Sequence, residues 1–220
     1  MFKKVTSIGV VFLLIFVAAC ADGEEKSEED ITDDTIVATV NGMEIKGEDY
    51  NFAYEQLEQL YEQTGQDLED EEIAETIKET VLEQLIGQTV LLYYAEQNGF
   101  EAEDEEVEQE LNTIKEQYEE DEFARVLEDS GITEEQLREE MANQIKTNKF
   151  IDQEIGSIDV SEEEVQEYYE TYKEQMGEEA KELEDVEEVI KRELENQKRQ
   201  EKAKEIVDEL KEKSDIEILI

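Results

Sequence analysis

Only two stretches of this chain have the composition of β-strands, and they stand at opposite ends of otherwise helical sequence. One is Ile36-Val37-Ala38-Thr39-Val40, followed by Asn41-Gly42 and Met43-Glu44-Ile45; the other is Ile216-Glu217-Ile218-Leu219-Ile220. Asn-Gly suits the two positive-φ positions of a two-residue hairpin turn, so residues 36–45 predict a β-hairpin. An isolated hairpin is marginal in water, and a lone strand has no hydrogen-bonding partner. The two ends are therefore expected to meet in one small sheet, with helices between them.

From Glu48 the apolar period becomes helical. Phe52, Leu57, Leu60 and Tyr61 mark a first helix that closes at Thr64-Gly65. A long helix from about Asp70 carries Ile73, Ile77, Val81, Leu82, Leu85, Ile86, Val90, Leu91 and Leu92 before Asn98-Gly99 ends it. Its middle is apolar nearly all round, and such a helix must be covered by others, which makes it the expected central element. Helices at 104–118 and 120–128 follow, with Val107, Leu111, Ile114, Phe123 and Leu127 as their stripe. Thr133-Glu-Glu-Gln136 and Ser161-Glu-Glu-Glu164 fit the capping box and start two more helices. A last helix over 183–211 repeats Val186, Ile190, Leu194, Ala203, Ile206 and Leu210. The fold class is mainly α: a helical bundle with a small β element formed by the N-terminal hairpin and the C-terminal strand.

The first twenty residues follow a different logic. Lys3 and Lys4 precede the apolar run Ile8–Val17, and the single cysteine, Cys20, is followed by the acidic tract Asp22-Gly23-Glu24-Glu25. A positive start, a short apolar run and small residues describe a secretory signal peptide. A permanent span would need roughly 20 apolar residues. Val17-Ala18-Ala19-Cys20 resembles the lipobox of bacterial lipoproteins, in which the cysteine is lipidated and the bond before it is cut. An ordinary secretory signal with Cys20 incidental is the alternative. The resemblance implies a leader over 1–19 and a diacylglyceryl anchor on Cys20; the polar, acidic and nearly apolar-free composition that follows predicts a disordered tether over 20–34, with a folded domain over 35–220. The lipid bilayer becomes a partner through that anchor, at the outer face of the bacterial cytoplasmic membrane. Two acyl chains suffice for stable attachment where one does not.

Charge narrows the function. There are 66 acidic against 20 basic residues, a net of −46, and no histidine, proline or tryptophan. Phosphate backbones would be repelled, so nucleic acid is excluded as a partner. Self-repulsion of this size strains a compact state, so the fold is expected to gain stability in salt, and a saline or alkaline host is the corresponding hypothesis. Without histidine, and with its one cysteine assigned to lipid, the chain lacks the usual nucleophiles, metal sets and neutral-pH base. No catalytic residue, metal ligand or cofactor is assigned; Glu runs such as Glu101–Glu110 read as solvated helix faces.

A hairpin of the form Val-Ala-Thr-Val-Asn-Gly-x-x-Ile over residues 37–45, a helical middle, a long last helix and the tail Ser214-Asp-Ile-Glu-Ile218 together resemble the SurA and PrsA family of extracytoplasmic chaperones. The resemblance implies a cradle of apolar side chains that binds unfolded secreted proteins; Tyr93, Tyr94, Phe123, Met141 and Phe150 are the client-binding candidates, with core packing as the competing role of each. Many members carry a parvulin-type prolyl isomerase domain before the last helix. Only a few residues separate Gln175-Met176 from Glu182-Leu183 here, so that activity is not expected. Two other functions stay open: a structural lipoprotein that binds one specific cell-surface partner, and a prolyl isomerase built without histidine.

Overall fold

The computed structural model describes residues 31–118 and 120–220. The expected leader, Cys20 and residues 20–30 of the expected tether lie outside the described residues.

β1 (Ile36–Val40) and β2 (Met43–Lys46) pair antiparallel through Asn41 at φ 51° and Gly42 at φ 87°. Both turn residues thus occupy the left-handed region that the Asn-Gly pair predicts. β3 (Ile216–Ile218) pairs antiparallel with the other side of β1, in the register Ala38↔Ile218, Thr39↔Glu217 and Val40↔Ile216, giving the order β2-β1-β3. The chain ends meet as the sequence requires. Asn41 locks the junction: its amide nitrogen donates to Ser214 Oγ at 3.1 Å, its Oδ1 accepts from the Asp215 amide at 2.9 Å, and its own backbone N–H donates to the Asp215 carbonyl at 2.8 Å.

Seven helices fill the interval: α1 (Gly47–Gln63), α2 (Glu71–Gln97), α3 (Asp104–Lys115), α4 (Glu120–Asp129), α5 (Glu134–Ile155), α6 (Glu162–Met176) and α7 (Leu183–Glu212), with a 3-10 turn at Gly177–Glu179. Both expected capping boxes form. Thr133 Oγ1 accepts from the Gln136 amide at 3.1 Å while Gln136 Oε1 accepts from the Thr133 amide at 2.9 Å, and Ser161 and Glu164 exchange the same pair of bonds.

Two details depart from the sequence reading. The buried side of α1 is Tyr50, Ala53, Tyr54, Leu57 and Tyr61, spaced at three and four, whereas Phe52 (47% exposed) and Leu60 (54%) face outward. A five-residue step rotates a side chain about 140° around a helix, off the packed stripe. Residues 31–34, assigned by sequence to the tether, are docked instead. Ile31 packs on the first core, the Gly47 and Glu48 amides donate to the carbonyls of Thr35 and Asp33, and Asn51 Nδ2 donates to the Ile31 carbonyl at 2.9 Å. The Gly47 and Glu48 bonds satisfy backbone amides that the first turn of any helix leaves open.

The core is not single. One cluster joins the sheet, α1 and α2 through Val37, Val40, Ile45, Tyr50, Ile77, Val81, Ile86 and Val90. A second joins α3, α4 and α5 through Val107, Leu111, Phe123 and Met141. A third joins α6 to the first half of α7 through Val165, Tyr169 and Ile190. α2 is the central element that its apolar sequence predicts, packing against α1, α5, α7 and the sheet. Gly87 on α2 faces α7, where a Cβ would meet Val207 Cγ1 at 3.5 Å, an ordinary contact distance. The scarce cations concentrate at helix junctions: Lys146 to Glu96, Lys149 to Glu106, Arg138 to Glu108, Lys198 to Glu164, Arg199 to Asp152 and Lys211 to Glu83, at 2.5–3.2 Å.

Candidate functional site

Where β3 lies beside α2 and the end of α7, a solvent-open groove of about 310 Å3 is lined by Glu79, Leu82, Glu83, Ile86, Lys211, Ile216 and Ile218. The periodicities of the elements build it. Glu79, Leu82, Glu83 and Ile86 lie three and four apart and share one side of α2, while Ile216 and Ile218 are two apart and share one face of β3. Leu82 and Ile86 are buried at the bottom, and Ile218 is 52% exposed at the lip. At the rim Lys211 Nζ pairs with Glu83 Oε1 at 3.2 Å. The floor is thus apolar and the rim predominantly acidic. A second hollow, of about 440 Å3, runs along the outer face of α3 among Glu105, Glu108, Gln109, Asn112, Thr113 and Glu116. Its walls come from one helix and are all polar, so it offers an apolar ligand nothing.

β3 also presents backbone. The Leu219 amide donates to the Val37 carbonyl at 2.9 Å and the Asp215 carbonyl accepts from Asn41. In an antiparallel ladder, bonding groups alternate sides along a strand, so residues 215, 217 and 219 face β1 while the N–H and C=O of Ile216 and Ile218 face away. Among the described residues β3 is an edge of the sheet.

The five client-binding candidates from sequence are not brought together. Phe123 (8% exposed) and Met141 (6%) are core residues of the second cluster, and Phe150 (3%) packs edge-on against Phe100 with ring centroids 5.7 Å apart. Tyr93 and Tyr94 are half-buried and in edge contact with each other at 5.3 Å. Tyr94 packs on the first cluster, and Tyr93 stands about two turns beyond Ile86 on the same side of α2. Sequence reasoning missed Leu82, Ile86, Ile216 and Ile218 as a surface. An alternating strand added to one side of a hairpin must leave an edge, and that signal could have found half of the groove.

The shifted titrations lie elsewhere. The Glu164 carboxyl is held down to about 2, first by the Lys198 ammonium and then by the Ser161 amide and hydroxyl. Burial, with Glu48 alongside, pushes the Asp49 carboxyl up, and burial pushes the Tyr50 phenol up to about 12. Among the described residues no group of three or more acidic, cysteine or histidine side chains is arranged to hold a metal ion, and no helix is long and apolar enough to cross a membrane.

Comparison with known proteins gives a consistent picture. The foldase protein PrsA of Clostridium perfringens (strain SM101) is 30% identical over 188 residues, covering 81% of this chain and 55% of the relative. PrsA of Caldanaerobacter subterraneus subsp. tengcongensis is 28% identical over 175 residues, and PrsA of Clostridium botulinum (strain Hall) 32% over 180. The chain spans about half the length of the curated relatives it matches. Among solved structures, a chain from work on PEB4 and Cj1289, two SurA-like chaperones of Campylobacter jejuni, superimposes with a TM-score of 0.57 at 13% identity, covering 84% of this chain and 99% of the other. That likeness is one of fold. The sequence profile of the SurA-like N-terminal domain matches residues 1–151, and the chain belongs to that family.

Proposed function

We propose that this protein is a chaperone that binds unfolded exported proteins, held by lipid on Cys20 at the outer face of the bacterial cytoplasmic membrane and working without a prolyl isomerase domain. The observation that carries the reading is the groove. Apolar side chains left open to water cost free energy unless a partner covers them, and here Ile218 stays 52% exposed at the lip of a groove floored by Leu82 and Ile86. Tyr93 and Tyr94 are half-buried on α2, outside the groove lining. Phe123, Met141 and Phe150 could touch a client only if their clusters opened.

The relatives' name, foldase, supports binding of other polypeptides. The short passage from α6 to α7 supports the absence of a parvulin domain. Met176 and Leu183 are joined by residues 177–182, and that link is tied down, with Tyr169 OH donating to the Lys181 carbonyl at 2.9 Å and the Lys181 amide donating to Tyr172 OH at 3.3 Å. The lipobox-like Val17-Ala18-Ala19-Cys20 supports the anchor; Cys20→Ser is expected to move the protein from the membrane fraction to the medium, and unchanged membrane retention would remove the anchor from the account.

The test is light scattering of a denatured exported protein diluted into buffer with and without the purified chain, at low and at high salt. Suppressed aggregation at near-equimolar ratio is the expected result. No suppression at either salt would favour the second reading, a binder of one cell-surface partner, which one observation supports: of Met43, Met141 and Met176 only Met176 is exposed, and flexible methionine surfaces are a mark of promiscuous binders.

A further inference from the structure

We propose that the outer edge of β3 and the groove beside it receive an extended client segment in which apolar and basic side chains alternate, added as a fourth strand of the sheet. The inference rests on the chaperone reading for its ligand and goes beyond it in naming the sequence pattern and the binding mode.

Three observations converge. The outward N–H and C=O groups of Ile216 and Ile218 form the free side of an antiparallel ladder whose other side is bonded to β1, and such an edge is a template for another strand. The groove that flanks this edge has Leu82 and Ile86 as its floor. A strand beside β3 directs every second side chain toward that floor and the alternate ones away from it. The third observation is charge. Glu79 and Glu83 border the groove against a single cation, Lys211, and the chain as a whole carries −46. Basic side chains on the incoming strand are therefore attracted and acidic ones repelled. An exported segment of alternating valine and lysine type satisfies all three, and the match excludes the chain's own acidic helices as occupants.

The full-length chain in detergent micelles is titrated with four fluorescent peptides: alternating valine and lysine, alternating valine and glutamate, and two forms of the lysine peptide N-methylated on one or the other set of alternate amides. Binding of the lysine peptide is expected, with the glutamate peptide inactive. One N-methylated set is expected to bind like the parent and the other to lose affinity by about tenfold or more, because only every second amide faces β3. Equal binding of both methylated sets would show mere electrostatic adsorption and overturn the proposal.

Two variants locate the site. Ile218→Pro removes one outward N–H while leaving the bonds to β1, a position where an edge strand tolerates proline, and Glu79→Lys reverses one rim charge at an exposed helix position. Both are expected to weaken the lysine peptide with an unchanged thermal transition; unchanged affinity in both would contradict the proposal. Scattering assays on the same samples separate the two readings. Aggregation suppressed without peptide binding overturns the strand-addition inference and leaves the chaperone. Methylation-dependent peptide binding without suppression upholds the site and overturns the chaperone.

Discussion

Asn41 does two things, and only one of them can be read from its neighbours in sequence. The turn follows from the Asn-Gly dipeptide, since both residues tolerate positive φ. The side-chain bonds to Ser214 and Asp215 are tertiary and have no local signal. Asn41→Gly keeps the turn and removes both bonds, so it is expected to cost about 1–2 kcal/mol in urea unfolding. It should also expose the Leu219 amide to hydrogen exchange while the hairpin amides stay protected; equal loss across both strands would deny Asn41 its role as the clamp. The glycines make an opposed pair. A Cβ at Gly47 would collide with the Thr32 carbonyl, whereas one at Gly87 meets Val207 at ordinary contact distance. Gly47→Ala should therefore lower the thermal midpoint and Gly87→Ala raise stability by about 0.5–1 kcal/mol, the helix-propensity gain over glycine. Phe52 and Leu60 show the converse limit: apolar identity was legible, but which three- and four-residue steps face the core was settled by packing.

At the scale of elements, α6 and the first half of α7 form a hairpin with its own small core, and its stability can be tested apart from the rest. Ile190→Ala is expected to cost about 2–4 kcal/mol, felt as lost exchange protection in α6 with the sheet unaffected. The same hairpin should respond to acid. Glu164 falls from an ordinary 4.5 to about 2 in the folded chain because Lys198 and the Ser161 cap stabilise its charged form. A lowered folded value means stabilisation present above pH 4.5 and lost as pH falls through about 2. Exchange protection at the start of α6 should drop across that window, and Glu164→Gln should flatten the response; a variant that titrates like the parent would assign the acid sensitivity elsewhere. Helix starts and stops were legible because capping boxes, Asn-Gly stops and periodic stripes are local. The division into three clusters was not, since Val107, Val165 and Ile77 lie on stripes of the same kind and only their partners differ.

Across the whole molecule the governing quantity is the net charge of −46. The bridges that join helices are open to solvent on at least one partner, and solvent-exposed pairs contribute about 0–1 kcal/mol each, so screening them sacrifices little. Screening the general repulsion gains more, because the Debye length contracts from about 30 Å at 0.01 M to about 8 Å at 0.15 M. The thermal midpoint should rise steadily with sodium chloride over that range; a fall would mean that the junction bridges outweigh the repulsion. Acidity and the meeting of the chain ends were both visible in sequence, but the open groove was not, because it forms where α2, α7 and β3 come together from distant parts of the chain. The most direct test of its use is methyl NMR on isoleucine-labelled protein titrated with an unfolded exported polypeptide. The account predicts shifts concentrated at Ile86, Ile216 and Ile218, with Ile114, Ile145 and Ile190 of the other two clusters unmoved; shifts at those three with the groove methyls unchanged would contradict it.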